Sequence, residues 1–348
     1  MTTPRVFAAA MLANLAACAS PVSAPPIDAA TTDAHAVDAA AAPRPGACSP
    51  VDGELRVNHL QMLGTHNSYH VAKQPPISKL WDYTHDPLTV QLDQQGVRAF
   101  ELDLHHRGGA APIEVEHVPQ LDDGTSCETL AACLQQLKAW SDAHPCHHPL
   151  VVTMENKDDL NESQIVDHLP QLEQEVLAVW PRGRLVTPDD LRGGAADLKT
   201  ALAQQGWPTL QATRGKLLVV LYDKQGLGAR YRQLHPQMKD AVAFVFGDPA
   251  DADTAAVLRD DPTDPQIGPL VQAGYLVRTF PSPTAAESTA AVQSGATVVS
   301  TDHPVPKPRQ PGFALQLPGG QPSRCNPLTA PPSCSAAAVN AGVGSAVP

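Results

Sequence analysis

Leu150-Val151-Val152-Thr153-Met154, followed at once by Glu155-Asn156-Lys157, changes character within one residue. A nearly unbroken apolar run suits a strand covered on both faces, as in a parallel sheet, and the charge that follows marks where the strand emerges. The pattern recurs in Leu217–Leu221 (LLVVL) and Val242–Phe246 (VAFVF). Working outward, apolar or alternating runs fall at His59–Leu63, Val97–Leu104, Ile113–His117, Leu150–Met154, Lys216–Leu221, Ala241–Phe246, Tyr275–Thr279 and Thr297–Ser300. Helical signals separate most of them. Thr125 with Glu128 three residues on reads as a capping box ahead of Leu130, Leu134, Leu137 and Trp140. Thr187-Pro188-Asp189-Asp190 reads as cap, N1 proline and acidic first turn. Gly96, Gly206, Gly274 and Gly295 stand where helices should stop. Eight strands alternating with helices predict an α/β fold, a closed (β/α)8 TIM-type barrel.

The 348-residue chain does not read as foldable throughout. Arg5 precedes a short apolar run, Val6 to Ala17, too short to span a bilayer but suited to a signal peptide. Leu15-Ala16-Ala17-Cys18 resembles the lipobox of bacterial lipoproteins, which implies cleavage before Cys18 and acylation of its thiol. With Ala19 next, the expected place is an outer membrane or cell surface, the alternative being a soluble secreted protein. Residues 18–47, rich in Ala and Pro, read as a disordered tether, and 335–348 as a disordered tail. One catalytic barrel domain is expected over 48–334. Much of the excess proline, 35 residues, belongs to the tether and to barrel loops.

Six cysteines remain after Cys18: Cys48, Cys127, Cys133, Cys146, Cys325 and Cys334. An even set in an exported protein suggests three disulfides, with fifteen pairings open. Short loops favour Cys127–Cys133 and Cys325–Cys334, which leaves Cys48–Cys146. The stretch His144-Pro145-Cys146-His147-His148 is read as a solvated loop, because adjacent ligands rarely converge on one zinc ion. A net charge of −12 argues against nucleic acid as partner. No GxGxxG or P-loop motif is present, so no nucleotide cofactor is expected. The protein is expected to be a monomer.

In such a barrel, chemistry collects at the C-terminal ends of the strands. Those ends carry Gly64-Thr65-His66-Asn67-Ser68-Tyr69, Glu101-Leu102-Asp103-Leu104-His105, Glu116-His117, Glu155-Asn156-Lys157, Arg278 and Asp302. Glu101 and Asp103, two apart, point to one face of an otherwise apolar strand. With Glu155 and the amide oxygen of Asn67 they form an all-oxygen set, which calcium or magnesium would choose and zinc would not. His66 and His117 suit acid–base work near neutral pH, and Lys157 and Arg278 could hold a phosphate. His105 shares the face of Glu101 and Asp103, where it would approach substrate or brace a neighbour. His106 should point the other way, as a structural residue. His85 reads as a loop hydrogen bonder, and Asp122 and Asp123 as turn formers. Asp302 would orient a basic residue or lie near the cation.

GTHNSY, VRAFELDLHH, EVEHVP and PLVVTMENKDD, in that order, resemble the secreted calcium-dependent phosphatidylinositol-specific phospholipase C family. More distantly, they are similar to the catalytic X region of eukaryotic phosphoinositide phospholipases C. The likeness is good over Leu60–Lys157 and continues weakly through LVRTF and VVSTDHP to RCNP. It implies a barrel of the PLC-like phosphodiesterase type, Ca2+ as cofactor, and a phospholipid substrate at a membrane surface. It implies calcium ligands at Asn67, Glu101, Asp103 and Glu155. His66 matches the histidine at the inositol 2-hydroxyl and phosphate, His117 the general acid, and Arg278 an arginine that meets the headgroup. The products implied are diacylglycerol and inositol cyclic phosphate. One departure is plain: Val219-Val220-Leu221 stand where the eukaryotic enzymes carry lysines that read ring phosphates. Unphosphorylated or glycosylated phosphatidylinositol is therefore the expected lipid. Two rival readings remain. Glycerophosphodiester phosphodiesterases share the barrel and its carboxylates but usually show HRG where this chain has HNS. A non-catalytic, lipid-anchored binding protein on a retired barrel would be expected to lack a ligand or an acid, and none is missing here.

Overall fold

The computed structural model describes residues 48–158, 162–222, 226–305 and 313–343. The expected signal peptide (1–17), tether (18–47) and lipidation residue Cys18 lie outside the described residues. Among the described residues ten strands are formed: β1 (Leu60–Thr65), β2 (Ala99–His105), β3 (Glu114–Val115), β4 (Leu150–Asn156), β5 (Leu217–Leu221), β6 (Phe244–Val245), β7 (Ala256–Leu258), β8 (Leu276–Thr279), β9 (Val298–Thr301) and β10 (Ser323–Cys325). Eight run parallel in the order β6-β5-β4-β2-β1-β9-β8-β7. A parallel bridge between Phe246 and Ala256 brings the two edges together and closes the barrel. Every residue of β1, β2, β4 and β5 is buried, as strands covered on both faces require.

Closure asks for close contact between staves. A methyl group at Gly64 would stand 3.0 Å from Ser300 Oγ and 3.1 Å from both Ala99 Cβ and Val298 Cγ1. Glycine there lets β9, β1 and β2 draw together. The remaining strands lie outside the parallel ladder. β10 pairs antiparallel with the first half of β1, and β3 pairs antiparallel with the end of β2.

Several expectations are corrected. Ile113–His117 is not a stave: only Glu114 and Val115 are strand, on the hairpin with β2. The eighth stave is Ala256-Val257-Leu258, three residues between acidic loops, too short to carry a readable period. The helix Leu130–Ala143 is capped by Thr129, not Thr125. Its chain stays extended through Glu128 because Val115 N–H donates to the Glu128 carbonyl at 3.0 Å. The Thr187 cap, N1 proline and acidic first turn of Pro188–Arg192 form as read, and Asp190 completes a capping box.

The His144–His148 segment is a loop but not a solvated one. His147 and His148 are wholly buried, bonded to Ser141 Oγ (2.7 Å) and Ser323 Oγ (2.7 Å). The supposed tail is ordered through Val343. Ala336–Val339 is helical, capped by the Ser335 side chain, and Val339 and Val343 are buried. The composition resembles a linker, yet the Ala338 and Val339 carbonyls accept from Arg214, whose guanidinium is buried against Asp52 and needs acceptors. Disulfides join Cys48–Cys146, Cys127–Cys133 and Cys325–Cys334.

Candidate active site

The acidic cluster stands where β2 and β4 end side by side. Their register pairs Asp103 with Glu155 and Glu101 with Thr153, so three carboxylates converge. An oxygen from each of Glu101, Asp103 and Glu155 lies within 4.8 Å of the others, and all three residues are buried. Lys157 Nζ sits 3.1 Å from both Asp103 Oδ2 and Glu155 Oε2. Arg278, on β8, pairs with Glu101 and donates from Nε to Ser300 Oγ at 3.0 Å. Burial above all pushes the Asp103 carboxyl up, to about 7; Lys157 opposes this, while Glu101 and Glu155 add to it.

The loop after β1 supplies the fourth oxygen. Asn67 takes φ +43°, a left-handed conformation that asparagine tolerates better than most residues. Ser68 ties that loop to β2 twice: its N–H donates to the Glu101 carbonyl (2.9 Å), and its Oγ accepts from the Glu101 N–H (2.8 Å). The Asn67 side-chain amide bridges two neighbours: its nitrogen donates to the Asp103 carboxylate oxygens at 3.2 and 3.3 Å, and its oxygen accepts from the Tyr83 hydroxyl at 3.1 Å. Turned over, the amide would present its oxygen to a cation held at Asp103. Three carboxylates and an amide oxygen so placed fit calcium, and the absence of nitrogen and sulfur donors from this set disfavours zinc.

Four histidines of the mouth are each held by a carboxylate. His66, at the end of β1, has Nδ1 2.9 Å from Asp302 Oδ1 and stacks on Phe280. Burial lowers its basicity, but Glu101 and the hydrogen-bonded Asp302 outweigh that and raise it to about 9. His117 Nδ1 lies 2.7 Å from Asp122 Oδ2, and the same oxygen lies 2.8 Å from His70 Nε2. Burial lowers His117, Asp122 opposes, and Lys157 and His70 add to the lowering. His105 Nδ1 lies 2.7 Å from Asp158 Oδ1.

His66, Asn67, Glu101, Asp103, Glu155, Lys157 and Arg278 thus gather at the barrel mouth, linked as described. His117 stands beside them on the β3 hairpin. His105 does not face outward: it is buried, with its second nitrogen 3.1 Å from the Glu116 carbonyl. Four partners went unread in the sequence: His70, Tyr83, Asp158 and, as more than a turn former, Asp122. Asp122 does close a turn, with its carbonyl accepting from Val118 N–H. Its wholly different use, bridging two imidazoles, depends on a 52-residue separation from His70 that no local pattern encodes.

A family model described as "Phosphoinositide phospholipase C, Ca2+-dependent" matches residues 55–112 and 109–327. Among solved structures, the chain is similar to the calcium-dependent phosphoinositol-specific phospholipase C of a Gram-negative Pseudomonas sp., at 21% identity and a TM-score of 0.60 over 81% of this chain and 99% of that one. It is also similar to the Ca2+-dependent phosphatidylinositol-specific phospholipase C of Streptomyces antibioticus, at 21% identity and a TM-score of 0.56 over 71% of this chain and 95% of that one. No curated protein matches the chain in sequence.

Proposed function

Because the chain belongs to the Ca2+-dependent phosphoinositide phospholipase C family, we propose that it cleaves the glycerol–phosphate bond of phosphatidylinositol, releasing diacylglycerol and inositol 1,2-cyclic phosphate. One observation carries this reading: the buried Glu101–Asp103–Glu155 set, completed by Asn67, stands beside two carboxylate-held histidines. Calcium, when bound, supplies positive charge for the developing phosphoryl charge and the attacking 2-hydroxyl. Glu101, Asp103, Glu155 and Asn67 would hold it.

The chain's own groups divide the remaining work. His66, its Nδ1 engaged by Asp302, has Nε2 left to meet the 2-hydroxyl and a phosphoryl oxygen. The hydroxyl proton passes to a carboxylate of the Glu101–Asp103–Glu155 set as the oxygen attacks phosphorus, while His66, held protonated beside Asp302 and Glu101, donates to the phosphoryl oxygen. His117, its Nδ1 engaged by Asp122, has Nε2 left to protonate the departing glycerol oxygen. Attack by a group of the substrate itself gains the advantage of proximity. Arg278 and Lys157 add positive charge beside the phosphate. The fully buried Val219, Val220 and Leu221 offer no cation to a ring phosphate, which favours an unphosphorylated headgroup.

Phosphorus NMR of the products from phosphatidylinositol vesicles tests the proposal: a cyclic phosphate signal is expected with calcium and its loss with excess chelator. Undiminished cleavage in chelator would sink it. Three disulfides support an oxidising compartment. Among the described residues no helix is long and apolar enough to cross a membrane. On the Leu15-Ala16-Ala17-Cys18 motif and the three disulfides we also propose export with a lipid anchor at Cys18; Cys18→Ser should move the protein from the membrane to the soluble fraction, and an unchanged distribution refutes the anchor.

A further inference from the structure

The segment that carries His117 hangs outside the barrel. β3 is two residues long, pairs antiparallel with the end of β2 and bridges from Glu114 to Thr129, so the parallel ladder does not set the height of His117 over the carboxylates. Main-chain bonds to Glu128 and from Leu130 hold β3 itself, and side chains hold the residues that follow it. Asp122 holds the imidazole itself, from within the Val118–Asp122 turn. The main chain just before it is held by His105. That ring, 3% exposed, points Nε2 at the Glu116 carbonyl (3.1 Å) and Nδ1 at Asp158 Oδ1 (2.7 Å). Both neighbours are acceptors, so each ring nitrogen donates and none is left for a substrate. Asp158 is anchored in turn: its Oδ2 accepts from the His106 N–H, and its carbonyl accepts from Asn156 Nδ2 at 2.7 Å. A continuous chain of hydrogen bonds thus runs from the end of β4 through Asp158 and His105 to the peptide that precedes His117.

We propose that His105, backed by Asp158, is a positioning residue for the general acid: it fixes the Glu116 carbonyl and through it the reach of His117 to the leaving oxygen. The proposal rests on the phospholipase reading above. Displacement of an acid by about 1 Å costs on the order of a hundredfold in rate. That loss should depend on how much the leaving group needs a proton, which a general weakening of the fold would not.

The test compares phosphatidylinositol with the 4-nitrophenyl phosphodiester of myo-inositol, whose leaving group departs without protonation. His105→Phe keeps a ring but removes both hydrogen bonds; it should lower kcat on the lipid by about ten- to a hundredfold and on the aryl ester by about threefold or less. His105→Gln, which retains a donor for Glu116, should recover most of the loss. Asp158→Asn alters the outer end of the chain, where the side chain is 22% exposed, and should show the same pattern more weakly should His105→Phe fail to fold. Equal losses on both substrates, or no loss on the lipid, overturn the proposal. His117→Ala separates the two readings. Indifference of His117→Ala to the leaving group brings down the general-acid assignment itself. A leaving-group-dependent loss in His117→Ala without one in the His105 and Asp158 variants brings down only the positioning role.

Discussion

Histidines crowd both ends of this barrel, yet they live under opposite rules. At the N-terminal end, His147 and His148 precede β4 and face Ser141 Oγ, Ser323 Oγ and backbone carbonyls. Burial pushes His147 down to about 3 and His148 well below its ordinary value, so both are neutral struts. At the C-terminal mouth, His66 faces Asp302 and is raised to about 9. Surrounding charge decides: Glu101 and Asp302 together outweigh burial at His66, whereas hydroxyls and carbonyls do not at the base. His117 falls between, since it shares Asp122 with His70 and feels Lys157. Removing charge at the mouth should therefore cost activity, and at the base only stability.

The largest effect is expected from Glu101→Gln. It removes one oxygen of the set and the partner of Arg278 at once, and should lower kcat/KM by about a thousandfold. Calorimetry should show calcium binding lost; retained calcium binding would separate Glu101 from the cation. Next comes Asp122→Asn, which leaves two imidazoles without their shared carboxylate and should lower kcat by about ten- to a hundredfold. Wild-type kcat in this variant would make Asp122 no more than a turn former.

The smallest effect on activity belongs to the other end. His148→Gln should leave kcat unchanged while lowering stability at pH 7 by about 1–3 kcal/mol, through the disturbed Ser323 contact. Its pH dependence carries a sign. A histidine lowered in the native state refuses a proton that the unfolded chain takes below about pH 6.5, so stability falls as pH drops below that value. For each such residue the loss is up to about 1.4 kcal/mol per pH unit, and for His147 it continues toward about pH 3. Urea midpoints measured between pH 6.5 and 4 should fall less steeply in His148→Gln than in the wild type. Equal slopes would mean that His148 is not neutral when folded.

The two ends were also unequally legible. At the mouth, ExD spacing on an apolar strand marks two carboxylates on one face, and seven of the residues gathered there stand at strand ends. The staves with continuous apolar runs, β4 and β5, were legible for the same reason. What could not be read was any partner chosen across the fold. Asp302 and His66 stand 236 residues apart, and Asp122 and His70 stand 52 apart. The base misled in the opposite direction, because His144-Pro145-Cys146-His147-His148 looks like a polar loop until Ser323 of β10 covers it. Short apolar pieces failed too: three residues in β7 carry no period, while Ile113–His117 alternates well but pairs outside the barrel.

Local chemistry alone determined the staves buried on both faces, the acidic face of β2, the short-loop disulfides and the all-oxygen character of the cation set. These depend on side-chain alternation and on residue type, both of which are properties of neighbours in the chain. Only the tertiary structure decided which carboxylate holds which histidine, that His105 bonds Asp158 and the Glu116 carbonyl, and that the Ala-rich end after Ser335 packs under Arg214. A hydrogen bond needs two groups at about 3 Å, and barrel closure, not sequence spacing, sets which groups come that close.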